Sequence, residues 1–158
     1  MQNEKTKKTK LVRKLVALAI IITFGLIILI AIQSQKNIPT AVINNVEIKL
    51  EIATTSQEKI RGLCCRNSLA KNSGMLFVYK TPGDHRFWMK DTLIPLDMYW
   101  IDKNNKIVHI EHSVQPSSYP KTFGTKHPSL YTLETNAGFA KIHNIQIGDT
   151  VVFKKLKL

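Results

Sequence analysis

Seven side chains in the central and C-terminal parts of this 158-residue sequence have types suited to binding a ligand or moving a proton: Arg61, Arg66, Trp88, Lys90, Asp91, Asp97 and Glu134. Trp88 and Lys90 stand two apart in an alternating stretch, so on a strand they share one face. An indole wall beside an ammonium there suits a small anionic or sugar-like ligand. Asp97 and Glu134 are candidates for paired carboxylates in acid–base work, with Lys90 or Arg61 available to an oxyanion. The same residues also have a purely structural reading, in which Arg61 and Arg66 bridge to Asp97 or Glu134, pin a helix to a sheet, and leave Trp88 in the core.

Other chemistries find little support. His109 and Glu111 point one way on a strand and His112 the other, so His109-Ile110-Glu111-His112 does not converge on one ion, and no metal site is expected. No helical HExxH spacing, Gly-rich phosphate loop or Gly-x-Ser-x-Gly elbow occurs, and no cofactor is implied. Cys64 and Cys65 are too few for a disulfide-stapled scaffold or a multi-cysteine zinc site. Adjacent cysteines seldom bond each other without straining the peptide between them, so they are expected as buried free thiols.

The elements that must position these residues are short. Val46, Ile48, Leu50 and Ile52 alternate with polar neighbours, as in a strand with one buried face. Thr55-Ser56-Gln57-Glu58 matches a capping box, predicting a short helix that stops near Gly62. Further strands are expected over 75–79, after a turn at Gly74, and over 86–90, with Phe87 and Met89 on one face and Trp88 and Lys90 on the other. Segments 97–102 and 106–112 flank the hairpin connection Lys103-Asn104-Asn105. Strands at 130–135 and 150–155, with one or two helical turns at 137–143, complete the pattern. Residues 113–129, with three prolines and no periodicity, read as a long surface or binding loop. The expected fold is α+β and β-rich: a compact, barrel-like twisted sheet of about seven short strands with one or two short helices, preceded by an N-terminal transmembrane helix.

Arg61-Gly62-Leu63-Cys64-Cys65-Arg66, Gly74-Met75-Leu76-Phe77, the block Trp88-Met89-Lys90-Asp91 through Pro95-Leu96-Asp97, Leu133-Glu134 with Ala137-Gly138, and Gly148-Asp149 follow one another in an order and spacing that resembles the domain of unknown function 192 family, over about residues 46–153. The resemblance implies a small, β-rich bacterial or archaeal domain, often behind a signal or anchor, and implies no reaction. Two positions depart from the family pattern. Cys64 stands where Met is usual, which keeps an apolar sulfur and suits a core role; Asp91 stands where Asn is usual.

Charge and hydropathy divide the chain. Of the formal +12, the first 14 residues carry six basic side chains against one acidic, hence +5, and the remainder carries +7. Residues 15–32 are an uncharged apolar run of 18, about 27 Å as a helix at ~1.5 Å per residue, close to the ~30 Å core of a bilayer. A basic cytoplasmic tail (1–14), a signal anchor (15–32), a linker (33–45) with a turn at Asn44-Asn45, and an outer domain (46–155) follow from the positive-inside rule. If the apolar segment is instead cleaved as a signal peptide, the outer domain is secreted or periplasmic. The implied partners are the lipid bilayer through 15–32 and anionic lipid headgroups at the basic tail. A composition of 44% hydrophobic and 22% charged residues excludes a disordered chain, and the division of the charge argues against nucleic acid as a partner. The expected role is a membrane-anchored cell-envelope binding or accessory module. The alternatives are a small envelope hydrolase using paired carboxylates, and a structural partner of another envelope protein.

Overall fold

A computed structural model describes residues 2–35 and 37–156; Met1, Lys36 and the end of the C-terminal basic run, Lys157 and Leu158, lie outside the described residues, as do most side chains of the basic tail. The chain forms two units, residues 1–38 and 39–158. The first is one helix, α1 (Gln2–Gln35), whose stretch Arg13–Ile30 is long and apolar enough to cross a membrane.

Among its described residues the second unit carries nine strands: β1 (Thr40–Ile43), β2 (Val46–Ala53), β3 (Ser73–Gly83), β4 (Phe87–Trp88), β5 (Leu96–Ile101), β6 (Ile107–Val114), β7 (Thr122–Phe123), β8 (Ser129–Asn136) and β9 (Val152–Lys154). Seven make one curled sheet in the order β6-β5-β8-β3-β2-β1-β9, and β4 pairs with β7 in a separate ribbon. The β2–β3 pair is parallel and every other pair antiparallel. The two edges approach each other where Lys106 bridges to Thr150, with the Ile107 N–H donating to Asp149 O at 3.0 Å and the Val151 N–H to Asn105 O at 2.9 Å. This is the β-rich α+β, barrel-like architecture expected from the periodicity.

The curl separates two apolar clusters by strand parity. Ile48, Leu50, Leu76, Tyr99, Ile101 and Leu133 face its interior, which α3 (Phe139–Ile142) plugs with Phe139 and Ala140. Met75, Phe77, Leu96, Met98 and Trp100 face outward and are covered by Leu63, Phe87, Met89, Ile94 and Phe123 from the connecting segments. Near-zero exposure of both sets follows from period-2 side chains on strands sandwiched between two layers.

Four local expectations change. Thr40–Ile43, read as linker, is β1, tied to β2 through the predicted turn, where Asn44 and Asn45 both have positive φ. Gly74 sits inside β3 and makes no turn: a Cβ there would lie 2.5 Å from Glu134 O, so only glycine lets β3 and β8 approach. Segment 113–129 is not structureless, since the end of β6, a 3₁₀ turn at Pro116–Ser118, β7 and the start of β8 occupy it. Cys64 and Cys65 are bonded to each other, Cys64 half-buried and Cys65 exposed, so the expected buried thiols are absent. Cys65 has φ 66°, a left-handed turn that swings its side chain back towards its neighbour's.

Candidate functional site

The outward-facing layer holds a cleft of about 190 Å³, lined by α2 (Ser56–Arg61), Gly62 and Leu63 on one side, Phe87, Trp88, Lys90 and Thr92 on another, and Phe77, Tyr79 and Glu134 of the sheet at its floor; a shallower hollow beside it runs along Glu51, Cys64, Cys65 and Arg66. The helix is held by the predicted capping box: Thr55 Oγ1 accepts from the Glu58 N–H at 3.2 Å, and the Glu58 carboxylate accepts from the N–H groups of Thr54 and Thr55, both at 2.8 Å. Those backbone donors hold the Glu58 carboxyl at about 2. Gly62, at φ 48°, ends the helix and donates to Glu58 O at 2.8 Å, turning Leu63 into the core and leaving Arg61 on the cleft. The Cys65 N–H donates to Asp91 O at 2.9 Å, binding this turn to the one after Trp88.

Four cations border the cleft: Lys59, Arg61, Arg86 and Lys90. Arg86 is braced by Thr122 Oγ1, 3.1 Å from Nη2, and by Asp84 at 3.6 Å; Lys59 lies 4.4 Å above the Tyr79 ring. Arg61 and Lys90 have no ion-pair partner among the described residues. Burial and the neighbouring Lys80 lower the Lys59 ammonium's pKa, against the opposing pull of Glu58. The aromatic wall is fixed by an edge-to-face contact of Phe77 with Phe87, centroids 4.8 Å apart, while Trp88 remains 48% exposed.

Glu134 is the unusual group at the floor. It is 4% exposed, and its carboxyl makes no hydrogen bond or ion pair among the described residues. Burial pushes it up to about 8, opposed by the more distant charge of Arg66, so at neutral pH it is a protonated acid.

The sequence pattern of the domain of unknown function 192 family, described as an uncharacterized ACR, matches residues 39–153. The chain belongs to that family. No protein of curated function matches it. It is similar in structure to a protein of unknown function from Novosphingobium aromaticivorans DSM 12444, at 29% identity and TM-score 0.68, covering 72% of this chain and 83% of that one. It is also similar to a proposed transcription regulator from Sinorhizobium meliloti 1021, at 28% identity and TM-score 0.69, covering 75% and 93%.

The motifs that this chain shares with the family of unknown function 192 divide between the cleft and the frame. Arg61, Trp88, Lys90 and Glu134 converge on the cleft. Arg66 does not: it makes a two-pronged ion pair with Glu51, at 2.7 and 3.0 Å, so the expected bridge from Arg66 to Asp97 or Glu134 is replaced by one to β2. This pairing raises the Arg66 pKa and lowers that of Glu51. Asp91 is exposed, lies outside the cleft and has φ 54°, a conformation that Asn and Asp tolerate alike, so the backbone accounts for both the usual Asn and this chain's Asp.

Asp97 faces the opposite side of the sheet from Glu134. The strand register pairs Asp97 with Thr135 and Met98 with Glu134, and adjacent residues of a strand point to opposite faces. Fully buried, Asp97 accepts from the N–H groups of Ser113 (2.7 Å), Gly138 (3.1 Å) and Ala140 (2.8 Å), fastening α3 over the interior. The paired-carboxylate arrangement is therefore not formed.

Three titratable side chains of the cleft are absent from the sequence candidates: Lys59, Tyr79 and Arg86. Arg86 was within reach of the alternation argument, since 86, 88 and 90 share parity. Tyr79 lies two beyond Phe77 on β3, whereas nothing in the sequence separates Lys59 from an ordinary exposed helix lysine.

Proposed function

We propose that this chain is a membrane-anchored envelope protein whose outer domain binds a small anionic ligand in the cleft. The observation that carries the reading is the convergence of Arg61, Trp88 and Lys90, with Lys59 and Arg86, around one concave surface. Cations held on a partly desolvated wall attract and orient an anion, and an exposed indole gives its apolar part a flat surface. A length of helix apolar on every face supports a bilayer anchor, and the lysine-rich residues before it support a cytoplasmic N-terminus against anionic headgroups. The Cys64–Cys65 disulfide is in keeping with an oxidising compartment outside the membrane. Nucleic acid is not among the partners of this reading.

A hydrolase reading retains a raised carboxyl, Glu134, as a proton donor but no second carboxylate lines the cleft, which favours binding over hydrolysis. Isothermal titration of the full chain in detergent micelles with a panel of small carboxylates and phosphates tests the binding reading. Binding of at least one class is expected, weakened about tenfold by Lys90→Ala or Arg61→Ala, the loss of one charge-assisted contact. Binding indifferent to both substitutions would move the ligand elsewhere and overturn the assignment.

A further inference from the structure

We propose that the ligand is a hydroxylated monoanion of the sugar-acid class, and that Glu134 selects it by exchanging hydrogen bonds with a ligand hydroxyl at the floor of the cleft. The inference rests on the small-anion reading and supplies its chemical class. Glu134 is 4% exposed, lines the cleft and makes no hydrogen bond among the described residues, yet its carboxyl oxygens are not fully enclosed, as Ser118 Oγ and Thr132 Oγ1 are, so they open onto the cleft. Arg66, the cation whose charge acts on it, is already engaged, clamped on Glu51. The carboxyl is therefore free to meet whatever fills the cleft.

The chemistry narrows that occupant. Kept protonated by burial, the carboxyl offers one O–H donor and one carbonyl acceptor, the complement of an alcohol, which also donates and accepts. A bare anion such as acetate satisfies the cationic rim but leaves the floor unmatched. A neutral sugar matches the floor but not the rim. An ammonium would have to pass Lys59, Arg61, Arg86 and Lys90 before reaching Glu134, an unfavourable path for a zwitterion. A volume of about 190 Å³ is below the ~300–1,000 Å³ of sites for drug-sized ligands, so a single ring fits the scale, and Trp88 can cover its C–H face.

Titration of the full chain in micelles with glucuronate, acetate, glucose and glutamate separates the possibilities. Glucuronate is expected to bind at least tenfold more tightly than acetate or glucose. Glu134→Leu should cut the glucuronate-over-acetate ratio about tenfold, whereas Glu134→Gln, whose amide also donates and accepts, should keep most of it. Equal affinity for glucuronate and acetate, with both sensitive to Lys90→Ala, overturns the sugar-acid assignment and leaves the small-anion reading intact. A preference for glutamate that Glu134→Gln abolishes identifies an ammonium at the floor and overturns it likewise. Absence of binding by every anion removes both readings. The ranking on the wild-type chain decides alone if a variant does not fold.

Discussion

Burial without a partner makes Glu134 a liability to the fold that grows with pH. Its carboxyl is raised from 4.5 to about 8 by burial, so below about pH 4.5 it is protonated in both the folded and unfolded chain and is neutral for stability. Between these values the unfolded chain releases the proton and the folded chain keeps it. Stability therefore falls as pH rises through this window, by at most about 4–5 kcal/mol at ~1.4 kcal/mol per unit. Arg66 from the turn after α2 moderates the effect, and Arg61, Lys59, Arg86 and Lys90 border the same cleft. Glu134→Gln keeps the shape and removes the titration. Urea unfolding of the chain in micelles at pH 5, 6.5 and 8, followed by tryptophan fluorescence, should show the variant gaining on the wild type as pH rises. Parallel pH profiles for the two would contradict the assignment of a raised carboxyl. The residue type was visible in the sequence, but its isolation was not: nothing local to Leu133-Glu134-Thr135 says that Arg66 is engaged with Glu51 or that Asp97 is wrapped by three amides on the other face.

At the scale of elements, legibility followed the range of the forces involved. The alternation over 46–53 gave β2 with its bounds intact, and the capping box gave α2, because both depend on neighbours within four residues. β1 was hidden because Thr40–Ile43 owes its strand to pairing with β2 and β9, the latter more than a hundred residues away. The strand expected over 86–90 shortens to the two residues of β4, which pair with the two of β7, an element with no local signal of its own. Gly74 shows the same dependence, its requirement set by the carbonyl of Glu134 on β8 rather than by a turn. Gly74→Ala would push a Cβ to 2.5 Å from backbone that cannot rotate away, forcing β3 and β8 apart beside the cleft floor. A loss of about 1–3 kcal/mol is expected, the usual range for overpacking, read as a lower urea midpoint. An unchanged midpoint would mean that the two strands have slack at this crossing.

For the whole molecule, the decisive property is how charge and apolar length are distributed along the chain. A +12 total concentrated on one face would suit a polyanion, but +5 of it precedes an 18-residue apolar run, the pattern of an orientation signal under the positive-inside rule. In water the side chains of that run, such as Ile21 and Phe24, would have no favourable environment on a helix apolar on every face. The proposed insertion in a bilayer, with the lysine-rich end retained in the cytoplasm, would account for both facts together and would put the cleft domain on the opposite side. Fusions after residue 40 test this: alkaline phosphatase, active only outside the cytoplasm, should be active, and β-galactosidase should not. The phosphatase fusion should stay in the membrane pellet after alkaline extraction, because an uncleaved helix holds it, whereas cleavage would release it. Replacing Lys5, Lys7, Lys8, Lys10, Arg13 and Lys14 with glutamate should lower phosphatase activity, since the orientation signal is removed while the apolar run is unchanged. Strong β-galactosidase activity from the unmodified fusion would place the domain in the cytoplasm and reverse the topology.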